Sequence, residues 1–151
     1  MIVCSHVIQH TPTSVTPALL RRLHTLLSED GRLVISSTFM PESVGAGYET
    51  MTGQPLSCGE FNELVSNHKA GVLGVRLYTP SLMRMLLESA GFHVCAHKGY
   101  TYYQKGWATK GSPAIEQRRK RGMDLTTLVE SPISQVFVCR KLPGAGHLAK
   151  L

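Results

Sequence analysis

The chain has 151 residues, 42% of them hydrophobic and 17% charged. That suits one globular core and excludes the highly charged disordered classes, because ordinary domains carry about 25% charged residues. No apolar run approaches the roughly 20 residues of a membrane helix, and Met1 to Val7 lacks the basic leader and long apolar centre of a signal peptide, so a cytoplasmic protein without membrane contact is expected. The net charge of +6 belongs to one segment: Lys98 to Arg121 holds seven basic residues against the acid Glu116, and the other nine basic and nine acidic residues cancel.

The opening MIVCSHVI is an apolar run too short for a helix and reads as a strand buried on both faces of a parallel sheet. A turn follows at Thr11 to Ser14. Thr16 before Pro17 reads as an N-cap and a first-turn proline, Leu19, Leu20, Leu23, Leu26 and Leu27 form one helical face, and Gly31 offers the left-handed conformation that ends a helix. RLVISSTF is the second strand. Strand, helix and strand on such short connections predict a right-handed crossover with the strands parallel.

Met40 to Gln54 shows no period and reads as a long loop. Ser57 and Glu60 stand at capping-box spacing before Phe61, Leu64, Val65 and His68, which recur at helical intervals. Thr79 and Pro80 open a further helix with the stripe Leu82, Met83, Leu86 and Ala90, closed by Gly91. FHVCAHKGYTYY and SQVFVCRKL are two more strands, expected to pair antiparallel around an insertion at 104–133, and 143–151 reads as a frayed tail. Cys4, Cys58, Cys95 and Cys139 form no Cys-x-x-Cys pair, so buried free thiols are expected, with neither a zinc knuckle nor a disulfide scaffold.

VCSHVIQHT (3–11), LLSEDGRLVISS (26–37) and YTPSLMRMLLESAGFHV (78–94), in this order, resemble the second half of a class I S-adenosylmethionine-dependent methyltransferase domain. The resemblance implies an α/β, partial Rossmann-like fold over residues 1–142. Its parallel strands would be the family's fourth to sixth and its last strand the antiparallel seventh, in the order 4-5-7-6. It implies S-adenosyl-L-methionine as cofactor. The family's first half holds that cofactor with a Gly-rich turn between a strand and a helix, and no G-x-G sequence stands in such a place here; Gly45 and Gly47 lie in the long loop and Gly144 and Gly146 in the tail. The first strand would then lie at a sheet edge that neither lysine nor proline guards. The chain is therefore expected either to be a piece of a larger enzyme or to complete its sheet at Met1 to Val7 with another polypeptide.

By resemblance, the turn leaving the first strand faces the cofactor's methyl group and the substrate. That assigns Ser5, His6 and Val7 to the cofactor and Gln9 to a small-molecule acceptor, with Tyr48 in the loop that covers it. Methyl transfer to a hydroxyl needs alignment and a base, and an imidazole suits proton removal near neutrality. His10 is the candidate base, since the strand has ended there. The segment matches the E-x-x-E-H pattern of quinone and polyphenol O-methyltransferases only in part: His6 and Gln9 replace the acids, so no metal site is expected. SHVI replaces the Asn/Asp-Pro-Pro-aromatic motif, which disfavours methylation of base amines.

Tyr100, Tyr102, Tyr103 and Trp107 lie among Lys98, Lys105 and Lys110, followed by RRKR at 118–121, a composition able to meet nucleic acid. No G-x-S-x-G elbow or phosphate-binding loop occurs. Two functions stand side by side: methyl transfer to a small-molecule oxygen or nitrogen, incomplete in this chain alone, or a non-catalytic module that pairs through its open edge or binds nucleic acid through its basic insertion.

Overall fold

The computed structural model describes residues 1–67, 72–100, 117, 120 and 134–142. Most of the basic insertion at 104–133 and the whole tail at 143–151 lie outside the described residues. In chain order the elements are β1 (Ile2–Ser5), a 3-10 turn (Ile8–His10), α1 (Thr16–Leu26), β2 (Leu33–Thr38), β3 (Gly47–Thr50), α2 (Cys58–Asn67), β4 (Gly74–Leu77), α3 (Pro80–Ser89), β5 (Phe92–Tyr100) and β6 (Ser134–Lys141).

Among the described residues four strands form one sheet in the order β1-β2-β6-β5. β1 and β2 are parallel, with Ile2 opposite Leu33 and Ser5 opposite Ser36; β6 lies antiparallel to β2 and to β5. With β1, β2, β5 and β6 in the family's fourth to seventh places, this is the order 4-5-7-6 expected from the resemblance. Cys4, Leu33, Ile35, Phe92, Val94, Phe137 and Cys139 share one core with Leu20 and Leu27 from the α1 region and Met83 and Leu87 of α3. Burying side chains of this size contributes about 1.5–3 kcal/mol each, which is what ties the helices to the sheet.

The first strand departs from its expectation. It is not buried on both faces: Cys4 enters the core, while Val3 is 60% exposed. β1 ends the sheet, and among the described residues nothing pairs with its outer side. Val3 stands in a row with Val34 and Val138 on the face away from the core.

Local signals read well at two helix starts and poorly at a third. Thr79 caps α3, its hydroxyl accepting from Leu82 N at 3.2 Å. The capping box closes as expected, with Ser57 N donating to Glu60 Oε2 at 2.8 Å and Glu60 N to Ser57 Oγ at 3.2 Å. At α1, however, Val15 is the N-cap, and the Thr16 hydroxyl donates to the Pro12 carbonyl at 3.1 Å, already a helical residue bonding backward. Gly31 does not end this helix: Leu27 does so in an extended conformation, and among the described residues the positive-φ glycines are Gly45, Gly53 and Gly91. Leu26 is exposed because the buried side of this region runs through Thr16, Leu20 and Leu27.

The expected loop from Met40 to Gln54 contains β3, which pairs antiparallel with β4 as a separate two-stranded sheet. Gly74 lets that sheet close on α2, since a Cβ there would meet Phe61 at 3.0 Å. Gln135, fully buried, joins the two sheets by donating to the carbonyls of Thr38 at 2.8 Å and Tyr78 at 3.0 Å. Cys4 and Cys139 are buried free thiols as expected, but Cys58 and Cys95 are exposed. Among the described residues no helix is long and apolar enough to cross a membrane.

Candidate functional site at the carboxyl end of β1 and β2

Where β1 ends, Ser5 and His6 are tied to the neighbouring strand. The hydroxyls of Ser5 and Ser36 lie 3.0 Å apart, and His6 N–H reaches the Ser36 carbonyl at 3.2 Å and its hydroxyl at 3.3 Å. His6 has φ 54°, a left-handed backbone that side-chain-bearing residues adopt rarely and that concentrates at functional turns. This reversal turns the chain into the 3-10 segment, which is anchored by fully buried Ile8; the Tyr78 hydroxyl donates to the Ile8 carbonyl at 3.2 Å. Val7, between the two features, is 52% exposed.

Gln9 is buried beneath this turn, and its amide is engaged at both ends. Oε1 accepts from Thr38 N at 2.9 Å and lies 3.1 Å from His6 Nδ1, while Nε2 lies 3.3 Å from His10 Nε2. His10 Nδ1 stands 2.7 Å from the Gly74 carbonyl, which binds the turn to β4. His6 Nε2 lies 3.2 Å from the Tyr100 hydroxyl at the end of β5. Ser5, His6, Gln9 and His10 thus form one cluster. Both ring nitrogens of His10 and the whole Gln9 amide make bonds within the protein.

Tyr48 belongs to a second cluster, on the β3-β4 sheet. Its ring packs against Phe61 with centroids 4.9 Å apart, and the Arg76 guanidinium stands 5.8 Å from its centroid. Its hydroxyl faces Cys58, the first residue of α2; hydrogen bonds from Tyr48, then Thr13, then Asn62 hold the Cys58 thiol below the ordinary thiol range. Asn62 Nδ2 donates to that sulfur at 3.4 Å, and Thr13 Oγ1 lies 3.7 Å from it. Burial, followed by the Cys58 contact, raises the Tyr48 phenol. Cys4 points into the core, and burial pushes its thiol up, so it does not join the two histidines.

Sequence reasoning missed Tyr100, Ser36 and Thr38 as members of the first cluster. Tyr100 is 94 residues from His6 and reaches it only through the β1-β2-β6-β5 order; its place at the end of an aromatic strand was the sole signal.

No protein-family model and no curated protein matches the chain. Solved structures do. An S-adenosylmethionine-dependent methyltransferase from Mesorhizobium loti aligns at 14% identity with a TM-score of 0.49, over 92% of this chain and 60% of its own. The [4+2]-cyclase SpnF aligns at 14% identity with a TM-score of 0.52, over 92% of this chain and 48% of its own. The chain spans less than two thirds of either protein. Identities this low speak for the fold alone, and the strand order agrees: this is a methyltransferase-like α/β fold.

Proposed function

We propose that the carboxyl end of β1 and β2 forms one wall of an S-adenosyl-L-methionine site for methyl transfer to an oxygen or nitrogen of a small molecule, acting in the cytoplasm, and that this chain alone does not complete the site. One observation carries the reading: the strained, left-handed His6 turns the chain at the carboxyl end of a parallel strand pair, where open α/β sheets present their ligands. Ser5, His6 and Val7 would lie against the cofactor, with Gln9 and Tyr48 on the acceptor's side.

The residues fit one side of such a ligand. Val7 offers an apolar contact, whereas the Ser5 hydroxyl and the His6 N–H are already bonded to Ser36. A Gly-rich turn between strand and helix, able to bind the amino-acid part, is missing from the described residues. When bound, such a cofactor supplies an electrophilic methyl carbon on a sulfonium, which the acceptor's lone pair takes as the C–S electron pair stays on sulfur. The turn positions the acceptor, and an imidazole within it, the expected one being His10, takes the acceptor's proton.

The test is a nitrogen-15 spectrum of the full chain with S-adenosylhomocysteine added to millimolar concentration. The reading requires amide shifts concentrated at Ser5, His6, Val7 and Ser36. An unchanged spectrum at these positions defeats it.

The open margin of β1 favours a second reading, in which the chain pairs with another polypeptide and transfers nothing. Met1 is 85% and Val3 60% exposed along this edge. Edge pairing of this kind joins backbone groups and an apolar row at once. Nucleic-acid binding by the basic segment is a further form of it, and salt-independent RNA binding would exclude that segment as the cause.

A further inference from the structure

We propose that Gln9 is a positioning residue that fixes the tautomers of two histidines, so that His6, paired with Tyr100, takes the acceptor's proton in place of His10. This rests on the methyl-transfer reading above and names the proton acceptor within it.

The assignment starts from two backbone groups whose hydrogen-bonding sense cannot change. Thr38 N–H can only donate, so the atom 2.9 Å from it is the oxygen of the Gln9 amide. The Gln9 nitrogen therefore points to His10 and donates to Nε2, which must carry a lone pair. The Gly74 carbonyl can only accept, so His10 Nδ1 carries the proton, in agreement with the first deduction. The same Gln9 oxygen faces His6 Nδ1, which must then be the N–H, leaving His6 Nε2 as the acceptor of the Tyr100 hydroxyl.

The two imidazoles consequently differ in what a second proton would meet. At His10 Nε2 it would collide with the Gln9 N–H. At His6 Nε2 it would leave the Nδ1–H bond to the Gln9 oxygen intact. Proton balance closes within the chain: the acceptor's proton passes to Tyr100 Oη as the Tyr100 proton passes to His6 Nε2, and the imidazolium later releases it to water. Tyr100 is partly exposed, as a group that meets the acceptor must be.

Two readouts test this without cofactor or methyl acceptor. Two-bond nitrogen–proton correlations of the imidazole rings should show both His6 and His10 as the Nδ1–H tautomer. In Gln9→Ala, His6 should become a mixture while His10, held by Gly74, keeps its tautomer. Diethyl pyrocarbonate, which acylates a ring nitrogen through its lone pair, should modify His6 ahead of His10. In Tyr100→Phe, a partly exposed change that leaves Gln9 in place, His6 should react about tenfold faster, the worth of one lost hydrogen bond. An Nε2–H tautomer at His6 in the unaltered chain, or faster modification of His10 than of His6, overturns the proposal. Failure of S-adenosylhomocysteine to shift the turn would instead remove the methyl-transfer reading and leave the tautomers to be decided by these spectra.

Discussion

The backbone of Gly91 lies against the ring of His24: at φ 93° it closes α3, and a Cβ added there would stand 3.0 Å from His24 Nε2. The contact fastens the turn between α3 and β5 to the last turn of α1. Gly91→Ala should therefore lower stability by about 1 kcal/mol or more, through both the left-handed backbone and the collision, with an unchanged slope in urea.

His24 also links stability to pH. Among the described residues its Nε2 is buried without a hydrogen-bond partner, and its ring meets Phe92 edge-on at 5.1 Å. Burial, then the charge of Lys141, lowers its titration below the ordinary 6.5, outweighing the Gly91 backbone and Glu29. The unfolded chain therefore binds this proton more readily, so the contribution is complete above about pH 6.5 and is lost as the pH falls through the lower, folded value. Urea midpoints should drop between about pH 7.5 and about pH 5.5, and His24→Leu should flatten that part of the slope.

Thiol reactivity should follow surroundings more than exposure. Cys58 and Cys95 are both exposed, and hydrogen bonds, the largest from Tyr48, hold the Cys58 thiol down. Iodoacetamide should label Cys58 first and Cys139 among the last, since burial pushes the Cys139 thiol up to about 12. Tyr48→Phe should slow labelling of Cys58 and leave Cys95 unchanged.

Gln135 tests the joint between the sheets. Its Nε2 donates to Thr38 and Tyr78, and its Oε1 lies 3.1 Å from His97 Nε2. Both carbonyls keep another donor, Ser37 Oγ at Thr38 and Met40 N at Tyr78, so Gln135→Leu removes bonds without stranding either. A loss of about 2 kcal/mol is expected, at about 1 kcal/mol for each bond to a carbonyl.

How much was legible in the sequence follows from the range of each interaction. The caps at Ser57 and Thr79 were readable because the capping group and its target are three residues apart. The parallel pair and the last two strands were readable from apolar runs and a family resemblance. The β3-β4 sheet was not: each strand has four residues, one begins with Gly47 and the other with Gly74, and the partners are separated by more than twenty residues. Thr16 misled because a Thr-Pro step resembles a cap even when the hydroxyl bonds backward to Pro12. In the site, Ser5, His6, Gln9 and His10 were legible as one turn, but Tyr100 and Thr38 join it only through tertiary pairing, and Tyr48 proved to belong with Cys58.

The open edge has its own consequence. If β1 recruits a strand from another chain, Val3→Lys should abolish the association, because a lysine there meets the incoming backbone with a charge. Light scattering during size exclusion checks this, and a monomer at all concentrations, with or without the substitution, would remove self-pairing from the account.

Calorimetric titration of the full 151-residue chain with S-adenosylhomocysteine tests most directly whether it provides only one wall of the cofactor site. Weak, millimolar-range binding is the predicted result. Saturable micromolar binding by the unaccompanied chain would show a complete cradle and contradict the account.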